Sequence, residues 1–296
     1  MNFIILLLAY FVRRRLDASG RLDLDALFRA LVSRAPAAKP GKEHRATIGF
    51  LMLVLVFVSV LALDYWLRGG DWSPMTWPLD FVVLLLTMGL PGWRDALQAY
   101  GESWRRGDMQ AAWHHVSHLL TSDQRAEGLE PEGLHRAVTS RLLAQVFERY
   151  FLVVFWFVLL GPAGAVVIRL CLALRDHWPS APARPAFGRL IAVVAWVPVR
   201  LLAISFGLAG DLGGWLATAK RRTFVLRGKA PALLFDSANG ALSSYALDPV
   251  RFEAAHPDDW PDFGARSLSA VRDLLNRSFL VWICVLALLA IAGIFN

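Results

Sequence analysis

The sequence predicts an all-α fold, a polytopic bundle of membrane helices carrying two polar helical insertions. Three observations carry that prediction. Hydrophobic residues make up 56% of the chain and charged ones 19%, with a mean hydropathy of +0.45, above the range of a soluble domain. The apolar residues gather in runs approaching the ~20 residues that cross a bilayer. Twelve tryptophans suit a protein anchored at two membrane–water boundaries, where indole buries its body and wets its N–H.

The candidate spans are 1–16, 48–67, 79–91, 150–174, 187–208 and 279–295. The first is an apolar run closed by Arg13-Arg14-Arg15. Its charge follows the apolar core, the reverse of a cleaved signal peptide, so the basic block is expected to stay cytoplasmic. Runs 48–67 and 79–91 read as a hairpin whose turn holds Gly69, Gly70, Trp72, Pro74, Trp77 and Pro78. Nine basic residues lie between the apolar stretch 1–12 and the second run: Arg13, Arg14, Arg15, Arg21, Arg29, Arg34, Lys39, Lys42 and Arg45. The turn from Gly69 to Trp77 has none. That asymmetry sets the orientation.

Residues 92–148 are polar and helix-like, with Trp93, Leu97 and Tyr100, then Ala112, Val116, Leu119 and Leu120, at helical spacing. A cytoplasmic helical region is expected there and a second at 211–277. Run 150–174 contains Gly161, Gly164 and Ala165, small residues that let another backbone approach. The Pro-rich loop after it (Pro179, Pro182, Pro185) would then lie outside, where its neighbouring arginines fit poorly. Basic residues flank apolar runs, so the net charge of +7 is explained by membrane orientation, and no nucleic-acid partner is expected. Cys171 and Cys284 sit in apolar segments and read as small buried hydrophobes.

Three motifs carry a family resemblance. They are Phe155-Trp156 followed by Gly161-Pro162-Ala163-Gly164-Ala165, then Trp196-Val197-Pro198-Val199-Arg200-Leu201, then Ser237-Ala238-Asn239-Gly240-Ala241-Leu242. With the order of the segments, they resemble the AmpE family, inner-membrane proteins associated with regulation of AmpC β-lactamase induction. Over roughly 148–245 they also resemble the wider CobD/CbiB group, the adenosylcobinamide-phosphate synthases of cobalamin biosynthesis. Polar positions of the synthase pattern are mostly lost. Ala144, Gln145 and Glu148 replace a Glu-Asn pair and an aspartate, Leu172-Ala173-Leu174-Arg175-Asp176-His177 replaces an Asn-Thr-Leu-Asp-Ser-Met run, and Ile191, Ala192 and Ala195 replace paired aspartates and an asparagine. ATP-dependent amide formation needs carboxylates for magnesium and phosphate. The resemblance therefore implies a scaffold without the chemistry: an accessory or sensor protein, multi-pass in the bacterial inner membrane, with no catalytic residues and no cofactor. Its partners would be the lipid bilayer and an unidentified membrane or cytoplasmic protein. An amide-forming synthase and a structural scaffold are the alternatives.

Arg200 and Pro198 are the leading candidates for an intramembrane site, because a charge inside an apolar run faces protein or a cavity. The arginine either binds an anionic group or pairs with Glu148 to hold helices together. Trp156, Ser237 and Asn239 complete the candidate set. No metal site is expected. His114 and His118 share a helix face without a third ligand, and Asp258, Asp259 and Asp262 read as a solvated turn. Gly207, Gly210, Gly213 and Gly214 precede Lys220 without the ending of a phosphate loop, and read as close helix packing.

Overall fold

The computed structural model describes residues 2–19, 25–34, 46–69, 73–90, 92–121, 125, 130–218, 229–243 and 245–293. Gly70, Trp72, Pro91, Lys220, Arg21, Lys39, Lys42 and Arg45, used above, lie outside them. The described chain is helical without strands, and the all-α membrane fold stands. Among the described residues three helices are long and apolar enough to cross a membrane, Thr47–Gly69, Pro131–His177 and Pro257–Ile291, and the bent pair Ala181–Val194 with Trp196–Ala209 would make a fourth span. The chain divides into two compact units, Met1–Pro91 with Glu148–Pro198 and Gly293–Asn296, and Gly92–Phe147 with Val199–Ala292.

The first unit contains α1 (Asn2–Ser19), α2 (Asp25–Ser33), α3 (Thr47–Gly69) and α4 (Thr76–Thr87). Helix α1 does not stop at its arginines: it continues to Ser19, and Arg13 is 1% exposed. The guanidinium of Arg13 pairs with Asp17 at 3.0 Å and donates to Leu85 O at 3.3 Å. That gives the charge protein partners where the sequence suggested a solvated block. Helix α4 runs for 12 residues, about 18 Å, short of a ~30 Å hydrocarbon core. It packs on α1 and on the segment after Leu152, and α3 packs on that segment too. The expected α3–α4 hairpin is therefore wedged open by a third element.

That element is the main departure from the expected topology. Residues 150–174 read as one crossing. In the structure a π-helical segment, Phe147–Phe151, leads into α8 (Leu152–His177, numbered after α5 to α7 below), and α8 is broken at Gly161 (φ 64°, ψ −155°). Backbone of that kind is accessible almost only to glycine, and Pro162 opens the next limb where its missing N–H costs nothing. Glu148 and Arg175 are 27 residues apart, ~40 Å along a straight helix. Yet Arg175 Nη1 and Nη2 donate to Glu148 Oε1 and Oε2 at 2.5 and 2.9 Å. The two limbs must therefore run antiparallel. A Cβ on Gly164 would overlap Trp156 O, so the small residues admit this segment's own first limb.

Both ends of the folded-back segment lie together, and the Pro-rich loop sits with Glu148 and Tyr150, with Tyr150 in turn bonded to Asp17 of α1. The loop shares the end that carries Arg13, which removes the conflict between its arginines and an outside location. Helix α9 (Arg184–Val194) follows, anchored at that end by Phe187, which is fully buried against Phe50 and Trp178. Run 187–208 is not one straight helix. α9 and α10 (Trp196–Ala209) meet at Ala195 with a 54° bend. Pro198 thus lies in the first turn of a new helix and breaks no backbone bond.

The second unit holds α5 (Trp93–Arg105), α6 (Met109–Val116), α7 (Pro131–Val146), most of α10, α11 (Leu212–Thr218), α12 (Ala230–Ala241), α13 (Pro249–Ala255) and α14 (Phe263–Ile291). The described residues within 92–148 and 211–277 are largely helical, and α14 begins within the second of these ranges, at Phe263. Trp104, Tyr100 and Phe263 enclose the fully buried His135. Its Nδ1 shares a 3.0 Å hydrogen bond with the Tyr100 hydroxyl and its Nε2 a 2.7 Å bond with Ser267. The glycine cluster does pack helices: Cβ atoms on Gly210 and Gly214 would run into the carbonyls of Ala241 and Gly240 on α12.

Three measurements check this architecture. Removing Arg175 alone leaves the Glu148 carboxylate without its guanidinium partner, expected to cost about 3–5 kcal/mol, whereas removing both costs far less than the sum of the single losses. Additive losses in that cycle would mean the residues do not meet and the segment is straight. Gly161→Ala is expected to lose about 1–3 kcal/mol through backbone strain, and an unchanged melting temperature would contradict the break. Burial in the aromatic cage pushes His135 down to about 3, whereas in the unfolded chain it titrates near its ordinary 6.5. The unfolded state then binds the extra proton between these values, so stability should fall as pH drops below ~6.5, by up to about 1.4 kcal/mol per pH unit. His135→Gln should flatten that slope in thermal melts, and identical slopes would refute the assignment.

Candidate functional site

Folding α8 back on itself gathers charge at one end of the first unit. The π segment contributes Glu148, Arg149 and Tyr150 in succession, and the extra residue in its turn spreads them around the helix. The return limb contributes Arg169, Arg175 and Asp176. α1 adds Arg13 and Asp17, and α2 adds Asp25 at its amino terminus.

Each carboxylate is engaged by donors. Asp17 Oδ2 accepts the Leu90 backbone N–H at 2.8 Å and a short bond from the Tyr150 hydroxyl. Gly89 (φ 126°) faces the Arg13 guanidinium so closely that no Cβ fits there. Asp25 Oδ1 accepts Arg149 Nη1 at 2.6 Å and is also in contact with Arg169 Nη2. Arg169 lies over the Phe28 ring, 5.2 Å from its centroid. Arg175 joins Glu148 to Asp176, donating from Nε to Asp176 Oδ1 at 2.8 Å. Buried arginines survive in an apolar bundle only with such charge-assisted bonds.

Above this network lie the two helix breaks. Trp156, on the first limb of α8, donates its indole N–H to Val194 O at 3.2 Å. Val194 closes α9, so its carbonyl is one of those that a helix end leaves without an internal partner. Phe155 packs edge-on against Trp156 at 5.6 Å.

The six residues singled out from the sequence distribute over both units. Glu148 and Trp156 bond within the first unit as described, and Pro198 is its last residue before the second. Glu148 has Arg175 as its partner. Arg200 is 9% exposed on α10. Ser237 and Asn239 lie two residues apart on α12, hence on different faces, and Ser237 Oγ and Asn239 Oδ1 are buried without a hydrogen-bond partner among the described residues. No group of three or more His, Cys, Asp or Glu side chains suited to a metal converges among the described residues. Asp259 and Asp262 are instead taken by Arg266 and Arg105.

Sequence reasoning missed Arg13, Asp17, Asp25, Arg149, Tyr150 and Arg169 as parts of a network. For Arg169 the signal was present: a lone arginine within an apolar run, the same pattern that marked Arg200. For Asp17 and Asp25 there was none, since their partners are 73 or more residues away in the chain.

The chain is similar in sequence to two curated proteins and to one family. A cobalamin biosynthesis protein CobD of Stutzerimonas stutzeri is 29% identical over 219 residues, covering 70% of this chain and 69% of the relative. A second CobD, from Chromobacterium violaceum, is 27% identical over 207 residues, covering 66% of this chain and 63% of that protein. No solved structure matches. The family model described as regulatory signalling modulator protein AmpE matches residues 1–222, a stretch that includes the α8 hairpin, both helix breaks and Arg200, and the chain belongs to that AmpE family.

Proposed function

We propose that this protein is a non-catalytic accessory or sensor in the regulation of AmpC β-lactamase induction, multi-pass in the bacterial inner membrane. The AmpE family match supports the regulatory reading. The observation that carries the non-catalytic part is the state of the carboxylates: Glu148, Asp176, Asp17 and Asp25 are all engaged by arginine, tyrosine or backbone donors. A magnesium–phosphate chemistry would need several such oxygens turned toward the metal. The basic end of the first unit, with Arg13, Arg149, Arg175 and Arg184, is its cytoplasmic end by the positive-inside bias. The regions 92–148 and 211–277 are read as cytoplasmic in this proposal and would meet a membrane or cytoplasmic protein partner.

Signalling requires a ligand that binds one conformation better than another. Arg200, with Pro198 opening its helix and the unsatisfied Ser237 and Asn239 belonging to the same unit as Arg200, is the proposed ligand or pairing position. A second reading, an ATP-dependent amide-forming synthase, is favoured by the names of the CobD relatives.

Both readings meet one experiment. In a host with inducible AmpC, Arg200→Ala that inserts and expresses normally should shift induced β-lactamase activity by ~5-fold or more relative to wild type. Unchanged induction would remove Arg200 from the mechanism. Membranes containing the wild-type protein should not consume ATP when given cobyric acid and an amino alcohol phosphate. Consumption that depends on this protein would replace the sensor with the synthase.

A further inference from the structure

The end of the first unit away from the Glu148–Arg175 pair holds a carboxylate that no donor satisfies. Asp80 of α4 is 1% exposed, and both its oxygens are buried without a hydrogen-bond partner among the described residues. The ion pair it makes there is with Arg68 of α3, whose Nη2 stands 3.7 Å from Asp80 Oδ2, beyond hydrogen-bonding reach. Arg68 is already engaged, since its Nε donates to both oxygens of Asp64 at 2.9 Å. Two carboxylates thus compete for one guanidinium, which is 44% exposed while Asp80 is sealed. The turn of the α8 hairpin lies at the same place: a Cβ on Gly161 would come 3.9 Å from Asp64 Oδ2.

The elements packed on α4 supply no further cation. Helix α4 has no other ionisable side chain, and the turn Ser73–Met75 has none. Beyond the Asp64–Arg68 pair α3 offers Tyr65, which faces outward. Residues 2–9 of α1 carry none. Tyr10, Arg13, Arg14, Arg15 and Asp17 come after them, where Arg13 meets Leu85 O. Residues 152–168 of α8 carry none, and Arg169, Arg175, Asp176 and His177 belong to the basic end. An ionised carboxylate sealed from water without donors is costly, and such a group neutralises instead. A single proton removes the charge, whereas a metal ion would need several converging oxygen ligands.

We propose that Asp80 is a proton-binding site and that its proton decides which carboxylate Arg68 holds: Asp64 when Asp80 is neutral, the arrangement in this structure, and Asp80 when it is charged. The step is an exchange of partners. Loss of the proton to water leaves a carboxylate at Asp80, and closing the 3.7 Å gap draws the guanidinium onto it from Asp64. Asp64 is then released beside Gly161, so the exchange reaches the backbone position that folds α8. This goes beyond the sensor reading. It depends neither on Arg200 nor on which side of the membrane this end faces.

Infrared spectra of the full-length protein in phosphatidylcholine nanodiscs, taken between about pH 5 and 9, would follow the C=O band of a protonated carboxyl group. The wild type should show a band that fades as pH rises. Asp80→Asn keeps the shape of the neutral acid and should lack it. Asp64→Asn removes both a like charge and the competitor for Arg68, so the band should fade about one pH unit lower. Arg68→Gln removes the cation, so the band should persist about one pH unit higher. A wild-type band that is absent, that stays constant across the range, or that survives Asp80→Asn overturns the proposal. So do variants at Asp64 and Arg68 that leave the pH of its loss unmoved. Loss of the band at constant pH when sodium replaces choline also overturns it, by giving the carboxylate a metal ion in place of a proton.

Discussion

The first unit depends on one backbone position. Gly161 adopts a conformation closed to residues with a Cβ, and everything that follows is geometry. A helix that would have carried Arg175 ~40 Å from Glu148 turns back and sets the two side by side. Hydropathy alone would spend this segment on one crossing. The break turns it into a charged junction instead, closed at one end by Glu148–Arg175 and by Asp25 between two guanidiniums.

Buried charge then dictates which other elements must be present. An arginine inside an apolar bundle is tolerated when protein replaces water around all its donors. Arg13 takes Asp17 and the Leu85 carbonyl, so α1 and α4 cannot pack independently of each other. Asp17 in turn receives Tyr150 and the Leu90 N–H, which ties both helices to the π segment. These bonds make α4, at 12 residues, a fixed part of the bundle even though it is too short to cross a bilayer alone. Specific pairing, more than apolar burial, sets where each helix stops.

Much of this was legible in the sequence, and the rest was hidden for identifiable reasons. The all-α membrane class followed from composition and run length. The helices described within 92–148 followed from periodicity, with Trp93, Tyr100, Ala112 and Val116 now buried. The close packing foreseen for Gly210 and Gly214 holds because a missing Cβ has the same meaning in any helix pair. The folded-back segment was not foreseen, because hydropathy measures affinity for lipid and carries no information on direction. One clue was present: the arginines near the Pro-rich loop sat badly outside, and they do so because that loop returns to the basic end. The Asp17 and Asp25 contacts left no local trace, since a carboxylate bound 73 or 124 residues away looks like any surface acid.

Two of the three sequence motifs are joined by one hydrogen bond. A broken helix in a membrane exposes carbonyls that lipid cannot satisfy, so each break needs a donor from a neighbour. The helix ending at Val194 obtains one from the Trp156 indole at 3.2 Å, and Trp156 can reach it because Gly161 and Gly164 fold its own segment back. Phe155-Trp156 and the small-residue turn that follows it are therefore coupled to the bend before Trp196-Val197-Pro198. A change that displaced Trp156 would leave the Val194 carbonyl without this donor. That dependence gives the pairing of these motifs a reason in hydrogen bonding to a helix-end carbonyl.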